Sequence, residues 1–230
     1  VTSAVAHPFD AGTLLYRKDV GGNENMQIWL RELATSRDRL ITDGKSLHGP
    51  PVFSQDGKRI AFYSNARDGR SYDVVTSDLT GTALPQLVVA GGSDALYVQD
   101  WSLDDKRLAL IRYTSATRSQ LLLADIATGA LTPVEPAADH KGGDVSVAQA
   151  QFSRDGRGLY FLSDRGGEFT SLHYVDLYTK EQRTLTPTET QWDVERFALS
   201  QDGRFLAYTR NEAGFDRLVL HDLALRADVL

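Results

Sequence analysis

The sequence predicts an all-β fold, a β-propeller of four-stranded antiparallel blades with five blades in this chain. Three observations predict it: one motif recurs five times, two sets of acidic residues keep the same period, and no long segment has the 3.6-residue periodicity of a helix. A fixed period of roughly 20–50 residues marks repeat architectures. Four short strands in each such repeat are typical of a propeller blade.

The repeated motif is clearest in segments 51–62, 150–161 and 197–208, each of which contains Ser-x-Asp-Gly before a hydrophobic run. A fourth copy, 100–110, has Asp105 in place of the glycine, and a fifth, 8–16, has one extra turn residue. The motif aspartates are separated by 46, 48, 51 and 47 residues; they are Asp10, Asp56, Asp104, Asp155 and Asp202. A second acidic set is separated by 46, 47, 51 and 46 residues; it comprises Glu32, Asp78, Asp125, Asp176 and Asp222.

Each repeat is predicted to contain four strands. The Asp-Gly turn favours a tight hairpin between the first two strands, because that turn needs a positive φ. A polar loop leads to a third strand, as in 73–79 and 172–177, and a short fourth strand such as 183–186 ends the repeat. The predicted blades are approximately 1–46, 47–93, 94–143, 144–190 and 191–230, so that one propeller domain spans 1–230.

The repeated turn residues are predicted to be structural. An aspartate at a hairpin turn accepts hydrogen bonds from nearby backbone N–H groups, and glycine tolerates the left-handed backbone. A ring of calcium ions bound by these carboxylates is the alternative interpretation. The predicted structural turn residues are Asp10, Asp56, Gly57, Asp104, Asp155, Gly156, Asp202 and Gly203.

The composition argues against several classes of function. The 230 residues carry a formal net charge of −6 with no cluster of Lys or Arg, which disfavours nucleic acid as a partner. The longest uninterrupted hydrophobic run has four residues, so no membrane-spanning helix and no membrane partner are predicted. There is no cysteine, and the predicted compartment stays open between the cytoplasm and the periplasm, because the sequence contains no recognisable targeting segment.

Neither a cofactor nor a catalytic group is predicted. The histidines show no pair at i, i+4 and no regular spacing with carboxylates; they are His7, His48, His140, His173 and His221. The segment 44–48 approaches the Gly-x-Ser-x-Gly nucleophile motif but lacks its final glycine. Its Gly-Lys-Ser also resembles the end of a phosphate-binding loop, but Arg39 stands where that loop requires glycine.

The repeat Phe-Ser-x-Asp-Gly-Lys-Arg-Ile-Ala-Phe, with an aspartate ending the third strand, resembles the blade motif of the TolB family and of prolyl oligopeptidase-type serine peptidases. Segments 16–29, 163–169 and 192–200 look like the N-terminal propeller of bacterial family S9 peptidases. That resemblance implies a C-terminal α/β-hydrolase domain of the parent chain and peptide substrates as partners. It also implies a propeller that caps the hydrolase, admits oligopeptides and excludes folded proteins.

We therefore expect a piece of a longer protein, with five consecutive blades of a larger propeller forming an open arc. A five-bladed ring is the alternative. Two other functions stay open. One is a TolB-like protein-binding propeller, although the additional N-terminal α/β domain of that family has no counterpart in this sequence. The other is a self-contained propeller that binds a small ligand or acts as a lyase, for which Arg112, Arg165 and Arg210 are candidate inward-facing groups.

Residues that break the repeat in the loops between blades are the candidates for contact with a substrate or partner, since loops carry function more often than scaffold does. Trp192 has the strongest claim, although burial under a neighbouring blade would explain it equally well. The repeated aromatic residues are instead predicted to form the core between sheets; they are Phe53, Phe62, Trp101, Phe152, Phe161, Phe197 and Tyr208. The candidate contact residues are His48, Tyr97, Lys141, Gln191, Trp192 and Asp193.

Overall fold

The computed structural model describes residues 2–92, 94–135, 143–186 and 191–230. These residues form twenty strands in five four-stranded antiparallel sheets, which are the blades of a β-propeller. The predicted all-β propeller fold is confirmed. Across the described ranges, no helix is long and apolar enough to cross a membrane.

Every blade places its strands in sequence order, so that each strand pairs with the one that precedes it. Blade 1 contains β1 (Ser3–Ala6), β2 (Thr13–Lys18), β3 (Gln27–Glu32) and β4 (Arg37–Leu40). Blade 2 contains β5 (Val52–Phe53), β6 (Arg59–Ser64), β7 (Asp73–Asp78) and β8 (Gln86–Val89). Blade 3 contains β9 (Ala95–Trp101), β10 (Arg107–Ser115), β11 (Arg118–Asp125) and β12 (Leu131–Glu135).

Blade 4 contains β13 (Val147–Phe152), β14 (Gly158–Ser163), β15 (Ser171–Asp176) and β16 (Gln182–Thr184). Blade 5 contains β17 (Val194–Leu199), β18 (Phe205–Glu212), β19 (Phe215–Asp222) and β20 (Ala227–Asp228). The fourth strands of blades 4 and 5 are shorter than the sequence suggests, with only three and two residues. The first and second strands are joined by the predicted tight turns, in which Gly57, Gly156 and Gly203 have φ of 71°, 71° and 72°.

The chain divides into two compact units. Unit 1 comprises Val1–Thr114 and Leu122–Thr132, and unit 2 comprises Ser115–Leu121 and Pro133–Leu230. Each unit has its own hydrophobic core between neighbouring sheets. In unit 1 the core includes Phe62 and Trp101, and in unit 2 it includes Phe197 and Tyr208, all of which are buried.

The predicted core aromatics pack as the repeat suggests. Phe152 and Phe161 are also buried, whereas Phe53 is half-buried at the edge of its cluster. Burying one large aromatic side chain contributes about 1.5–3 kcal/mol relative to leaving it exposed. The aromatic residues that recur in the repeats therefore contribute to the hydrophobic stabilisation between the sheets inside each unit.

Candidate functional site

The motif turns use their serine and aspartate side chains in the same way in each clear repeat. In blade 2, Ser54 Oγ donates to Asp56 Oδ1 at 2.7 Å, and the Lys58 backbone N–H donates to the same oxygen at 2.9 Å. Both hydrogen bonds lower the pKa of Asp56, and the bond from the Lys58 backbone has the larger effect. The equivalent hydrogen bonds are made by Asp104, Asp155 and Asp202.

The extra-residue turn of blade 1 follows the same principle. Asp10 accepts hydrogen bonds from the Gly12 backbone N–H at 2.9 Å and from Thr13 Oγ1 at 2.6 Å. The second acidic set behaves similarly, since Asp78 and Asp125 each accept bonds from a following threonine. In the part of the chain that the structure describes, no group of three or more His, Asp or Glu residues could hold a metal ion.

His48 is buried and hydrogen-bonded to an aspartate. Its side chain is 2% exposed, and its Nε2 lies 3.0 Å from Asp43 Oδ1. Burial lowers the pKa of His48 despite the opposing effect of Asp43. Partial burial opposes ionisation of Asp43, but hydrogen bonds from Ser46 and His48 lower its pKa overall. A buried imidazole of this kind supports the loop instead of presenting a surface for contact.

The same loop contains a serine, an aspartate and a histidine, but they are not arranged for nucleophilic catalysis. Ser46 Oγ donates to Asp43 Oδ2 at 2.6 Å, so the hydroxyl is bound to the carboxylate and not to the imidazole of His48. A nucleophilic serine needs a base within hydrogen-bond reach, with a third group orienting that base. The arrangement at residues 43–48 therefore corresponds to a hydrogen-bonded loop.

Tyr97 lies in a row of four tyrosine rings within unit 1. Its ring centroid is 5.4 Å from that of Tyr63 and 6.3 Å from that of Tyr113, and Tyr63 is also 5.4 Å from Tyr72. Tyr63 contacts Tyr72 and Tyr97 edge-to-face, which is a favourable arrangement for aromatic pairs. The sequence predicts only Tyr97 as a contact residue, because Tyr63 lies on β6 in a different sheet and meets Tyr97 through packing between sheets, which no local pattern reveals.

Arg17 adds a positively charged group beside this tyrosine row. It is hydrogen-bonded to Tyr63, and burial lowers the pKa of Arg17 and raises the pKa of Tyr63. Its Nε and Nη1 atoms are buried without a hydrogen-bond partner among the described residues. The row is thus an aromatic surface, half-buried at Tyr63, Tyr72 and Tyr97, with the Arg17 guanidinium beside Tyr63.

The second group of candidate contact residues precedes blade 5, in unit 2. Gln191, Trp192 and Asp193 are all exposed, and Trp192 is 39% exposed. Asp193 accepts a hydrogen bond from the Thr170 backbone N–H at 2.7 Å, which ties this segment to the start of β15. Trp192 is therefore held on an anchored backbone. Lys141, the remaining candidate, lies outside the described residues, as does His140.

The other described histidines have ordinary structural partners. His173 lies on β15 and His221 on β19, and both are buried. The Nε2 atom of His173 is 3.2 Å from the Ser163 carbonyl oxygen, and Nδ1 of His221 is 2.7 Å from Asp228. His7 is half-buried, and its Nε2 lies 3.0 Å from the Gly57 carbonyl oxygen.

The candidate arginines Arg165 and Arg210 are held in ion pairs. Nη1 of Arg165 lies 2.6 Å from Glu135, and Nη2 of Arg210 lies 2.7 Å from Glu212. Arg112 is half-buried on β10, opposite Leu96. The ion pairs leave Arg165 and Arg210 less available for a ligand than the sequence suggests.

The fold defines a class, the β-propellers whose blades resemble those of TolB and of prolyl oligopeptidases. No family model matches the chain. In sequence, the chain is similar to dipeptidyl-peptidase 5 of Porphyromonas gingivalis, with 29% identity over 195 residues, covering 74% of this chain and 27% of that protein. The chain thus spans about a quarter of the length of this relative.

Two solved structures show the same fold. TolB from Acinetobacter baumannii superimposes with a TM-score of 0.72 at 18% identity, covering 95% of this chain and 52% of that one. Prolyl oligopeptidase B from Galerina marginata, bound to a 35mer substrate, gives a TM-score of 0.74 at 14% identity, covering 100% of this chain and 34% of that one. The predicted resemblance to both groups of propellers is confirmed at the level of fold.

Proposed function

We propose that this chain is the non-catalytic propeller of a family S9 serine peptidase, where it caps an α/β-hydrolase domain and restricts access to oligopeptides. The observation that carries the proposal is the sequence similarity to dipeptidyl-peptidase 5, whose 195-residue alignment covers 74% of this chain but only 27% of the peptidase. A cap of this kind contributes access and positioning, while the bond chemistry belongs to the hydrolase domain.

The side chains of this chain support a role without catalysis. Ser46, in the segment closest to a nucleophile motif, donates a hydrogen bond from its hydroxyl group to Asp43, and His48 beside it is buried. The motif carboxylates accept hydrogen bonds inside their own turns, as Asp56 does from Ser54 and Lys58. Groups committed in this way are scaffold, which is what a gating domain requires.

The first test concerns the 230-residue chain itself. We expect no hydrolysis of a chromogenic peptide ester or amide above the rate of a buffer blank. Hydrolysis that a serine-directed inhibitor abolishes would contradict a non-catalytic role.

The second test concerns the parent protein. The coding sequence downstream of Leu230 is determined, and we expect it to encode a Gly-x-Ser-x-Gly hydrolase domain. The full-length protein is then compared with a variant that lacks the whole propeller, residues 1–230 together with any further blades, using a chromogenic dipeptide and a folded protein as substrates. Removing the propeller should increase cleavage of the folded protein relative to the dipeptide, and an unchanged ratio would contradict the gating role.

If no hydrolase domain follows, a binding propeller becomes the leading account. A ligand that binds only the folded state raises the melting temperature. A thermal-shift screen with peptides, sugars and divalent cations then separates a protein- or peptide-binding propeller from one that binds small ligands.

A further inference from the structure

Blade 4 departs from the repeat at the start of its second strand. The residue that pairs there with the acidic residue of the third strand is Gly158, which pairs with Asp176. In blades 1, 2 and 5 the same position carries a side chain, namely Thr13, Arg59 and Phe205. Glycine removes the side chain that would otherwise cover this end of the sheet.

The third strand of blade 4 departs from the repeat two residues away. Tyr174 pairs with Tyr160, and the two ring centroids are 5.0 Å apart. A Cβ atom added at Gly158 would overlap both the Val175 carbonyl oxygen and the Tyr174 ring, so the glycine makes room for the paired strand and its tyrosine. The residues equivalent to Tyr174 in blades 1, 2 and 5 are not aromatic; they are Leu30, Thr76 and Leu220.

These two changes coincide with a recess on the surface of blade 4. Its volume is about 540 Å³, within the range of roughly 300–1,000 Å³ that small-molecule sites occupy. The half-buried Tyr174 forms part of the lining. Gln182 and charged residues of both signs complete it; the charged residues are Asp155, Arg157, Asp176, Glu181 and Arg183.

Some of these charges are already used within the protein. Arg157 donates to Asp176 Oδ2 through Nε at 3.3 Å and Nη2 at 3.2 Å, so these two charges compensate each other. Asp155 Oδ1 accepts hydrogen bonds within its own motif turn, from Ser153 and from the Arg157 backbone N–H.

Two opposite charges are left for a ligand. Within the described ranges, the Glu181 carboxylate has neither an ion pair nor a side-chain hydrogen bond. The Arg183 guanidinium has no carboxylate within ion-pair distance there and instead lies over the Tyr174 ring, 4.7 Å from its centroid. A positive group over the Tyr174 ring and a negative group thus line the same recess.

We propose that this recess binds a basic α-amino acid with a free carboxylate, either as the free amino acid or as the last residue of a peptide. The ligand carboxylate pairs with Arg183, its cationic side chain pairs with Glu181, and its aliphatic part packs against Tyr174. Three carboxylates and two guanidinium groups line the recess, which therefore favours a ligand of net positive charge.

The test titrates the 230-residue chain with small probes and follows its backbone amide resonances by NMR. The probes are L-arginine, L-citrulline, which lacks the charged side chain, and agmatine, which lacks the carboxylate. We expect L-arginine to bind about three- to fivefold more tightly than either analogue, the size of effect that one exposed ion pair supplies. The shifted resonances should belong to β15, β16 and the turn at 155–158.

Two variants assign the charges. In Glu181→Gln, arginine and citrulline should bind equally, whereas in Arg183→Gln, arginine and agmatine should bind equally. Glu168→Gln is the control, because it removes an exposed carboxylate of the same unit away from the recess and should preserve both preferences. N-acetyl-L-arginine, which mimics the last residue of a peptide, distinguishes the two sources: binding equal to that of arginine indicates a peptide terminus, and weaker binding indicates the free amino acid.

Two results would overturn the proposal. One is equal binding of arginine and citrulline to the unaltered chain, and the other is an effect of Glu168→Gln as large as that of Glu181→Gln. The recess lies within blade 4, so neither result bears on whether the propeller gates a hydrolase domain.

Discussion

Glu135 and Arg165 form an ion pair within unit 2, in which Nη1 of the arginine lies 2.6 and 2.7 Å from the two carboxylate oxygens. The Glu135 side chain is fully buried, whereas that of Arg165 is 36% exposed. Gln182 adds a third hydrogen bond to the carboxylate, at 2.6 Å. The end of β12 is thereby fixed to blade 4.

Replacing Arg165 should be costly, because it leaves a buried carboxylate without its charge partner. Removing one partner of a fully buried pair costs about 3–5 kcal/mol. Arg165 is partly exposed, so we expect Arg165→Gln to lower the free energy of unfolding by about 1–3 kcal/mol, measured by urea denaturation. The double variant Glu135→Gln/Arg165→Gln should recover part of that loss, and a double variant less stable than Arg165→Gln would contradict this account.

Gly49 allows Tyr63 to join the tyrosine row. A Cβ atom at Gly49 would overlap the Tyr63 ring, so Gly49→Ala should displace that ring and lower stability by about 1–3 kcal/mol, as overpacking does. The near-ultraviolet circular dichroism of the tyrosines should change as well. Gly92→Ala is the matched control, since nothing lies within 4 Å of a Cβ there. Equal effects of the two substitutions would exclude the ring contact as the cause.

Asp105 combines a turn role with a contact to blade 2. It has φ of 54°, and its carboxylate accepts hydrogen bonds from the backbone N–H groups of Gln55 at 2.7 Å and Asp56 at 3.2 Å. Asp105→Gly should relieve backbone strain yet lower stability by about 1 kcal/mol, because both hydrogen bonds are lost. Asp105→Ala should lose about 1–2 kcal/mol more, since alanine disfavours the left-handed region. A glycine variant more stable than the parent chain would show that the contact to blade 2 contributes little.

The sequence predicts features set by local chemistry. The motif turns and most strands follow from Ser-x-Asp-Gly and its period, and Asp105 was recognised as the residue replacing the turn glycine. Its bond to Gln55 was not predicted, because the two residues are 50 positions apart and meet only when two blades pack. The same reason hides the pair of Glu135 and Arg165, which are 30 positions apart.

The candidate sites were harder to predict than the fold. His48 breaks the repeat in a loop, which favours a contact role, but the structure buries it. The recess of blade 4 was missed although Gly158 and Tyr160 depart visibly from the repeat. Those departures gain meaning only when strand pairing places Tyr174 beside them.

Stability should fall as the pH is lowered from neutrality. Burial lowers the pKa of His48 and of His173, so the unfolded chain binds these protons more readily than the folded chain. The free energy of unfolding should therefore decrease below the unfolded histidine pKa of about 6.5. In His48→Gln, the free energy of unfolding should fall less steeply between about pH 7 and pH 5, and the remaining decrease should be the contribution of His173. Urea denaturation at several pH values across this range measures the free energy of unfolding. Parallel pH curves for the unaltered chain and for His48→Gln would contradict a contribution of His48.

A second decrease should follow at lower pH. Hydrogen bonds in the turns lower the pKa of the aspartates, Asp68 among them to about 2, through bonds from Ser71 and Arg70. The stabilising effect of such carboxylates is complete above the unfolded aspartate pKa of about 3.9 and is lost as the pH falls through the lower folded values. His48→Gln should reduce this second decrease only by the part due to Asp43, whose pKa the hydrogen bond from His48 helps to lower.

Trp192 is the residue at which binding and stability can be separated. It is 39% exposed, and its segment is anchored by the hydrogen bond from the Thr170 backbone N–H to Asp193. Trp192→Ala should therefore weaken binding of a peptide or of the hydrolase domain while changing the melting temperature little, since the backbone anchor persists. Asp193→Ala should instead lower the melting temperature, because the hydrogen bond that anchors the segment is lost. Binding is measured by fluorescence anisotropy with a labelled peptide, or by co-elution with the separately expressed hydrolase domain. A Trp192→Ala variant that loses stability while its folded fraction binds normally would make this tryptophan a packing residue and remove it from the contact surface.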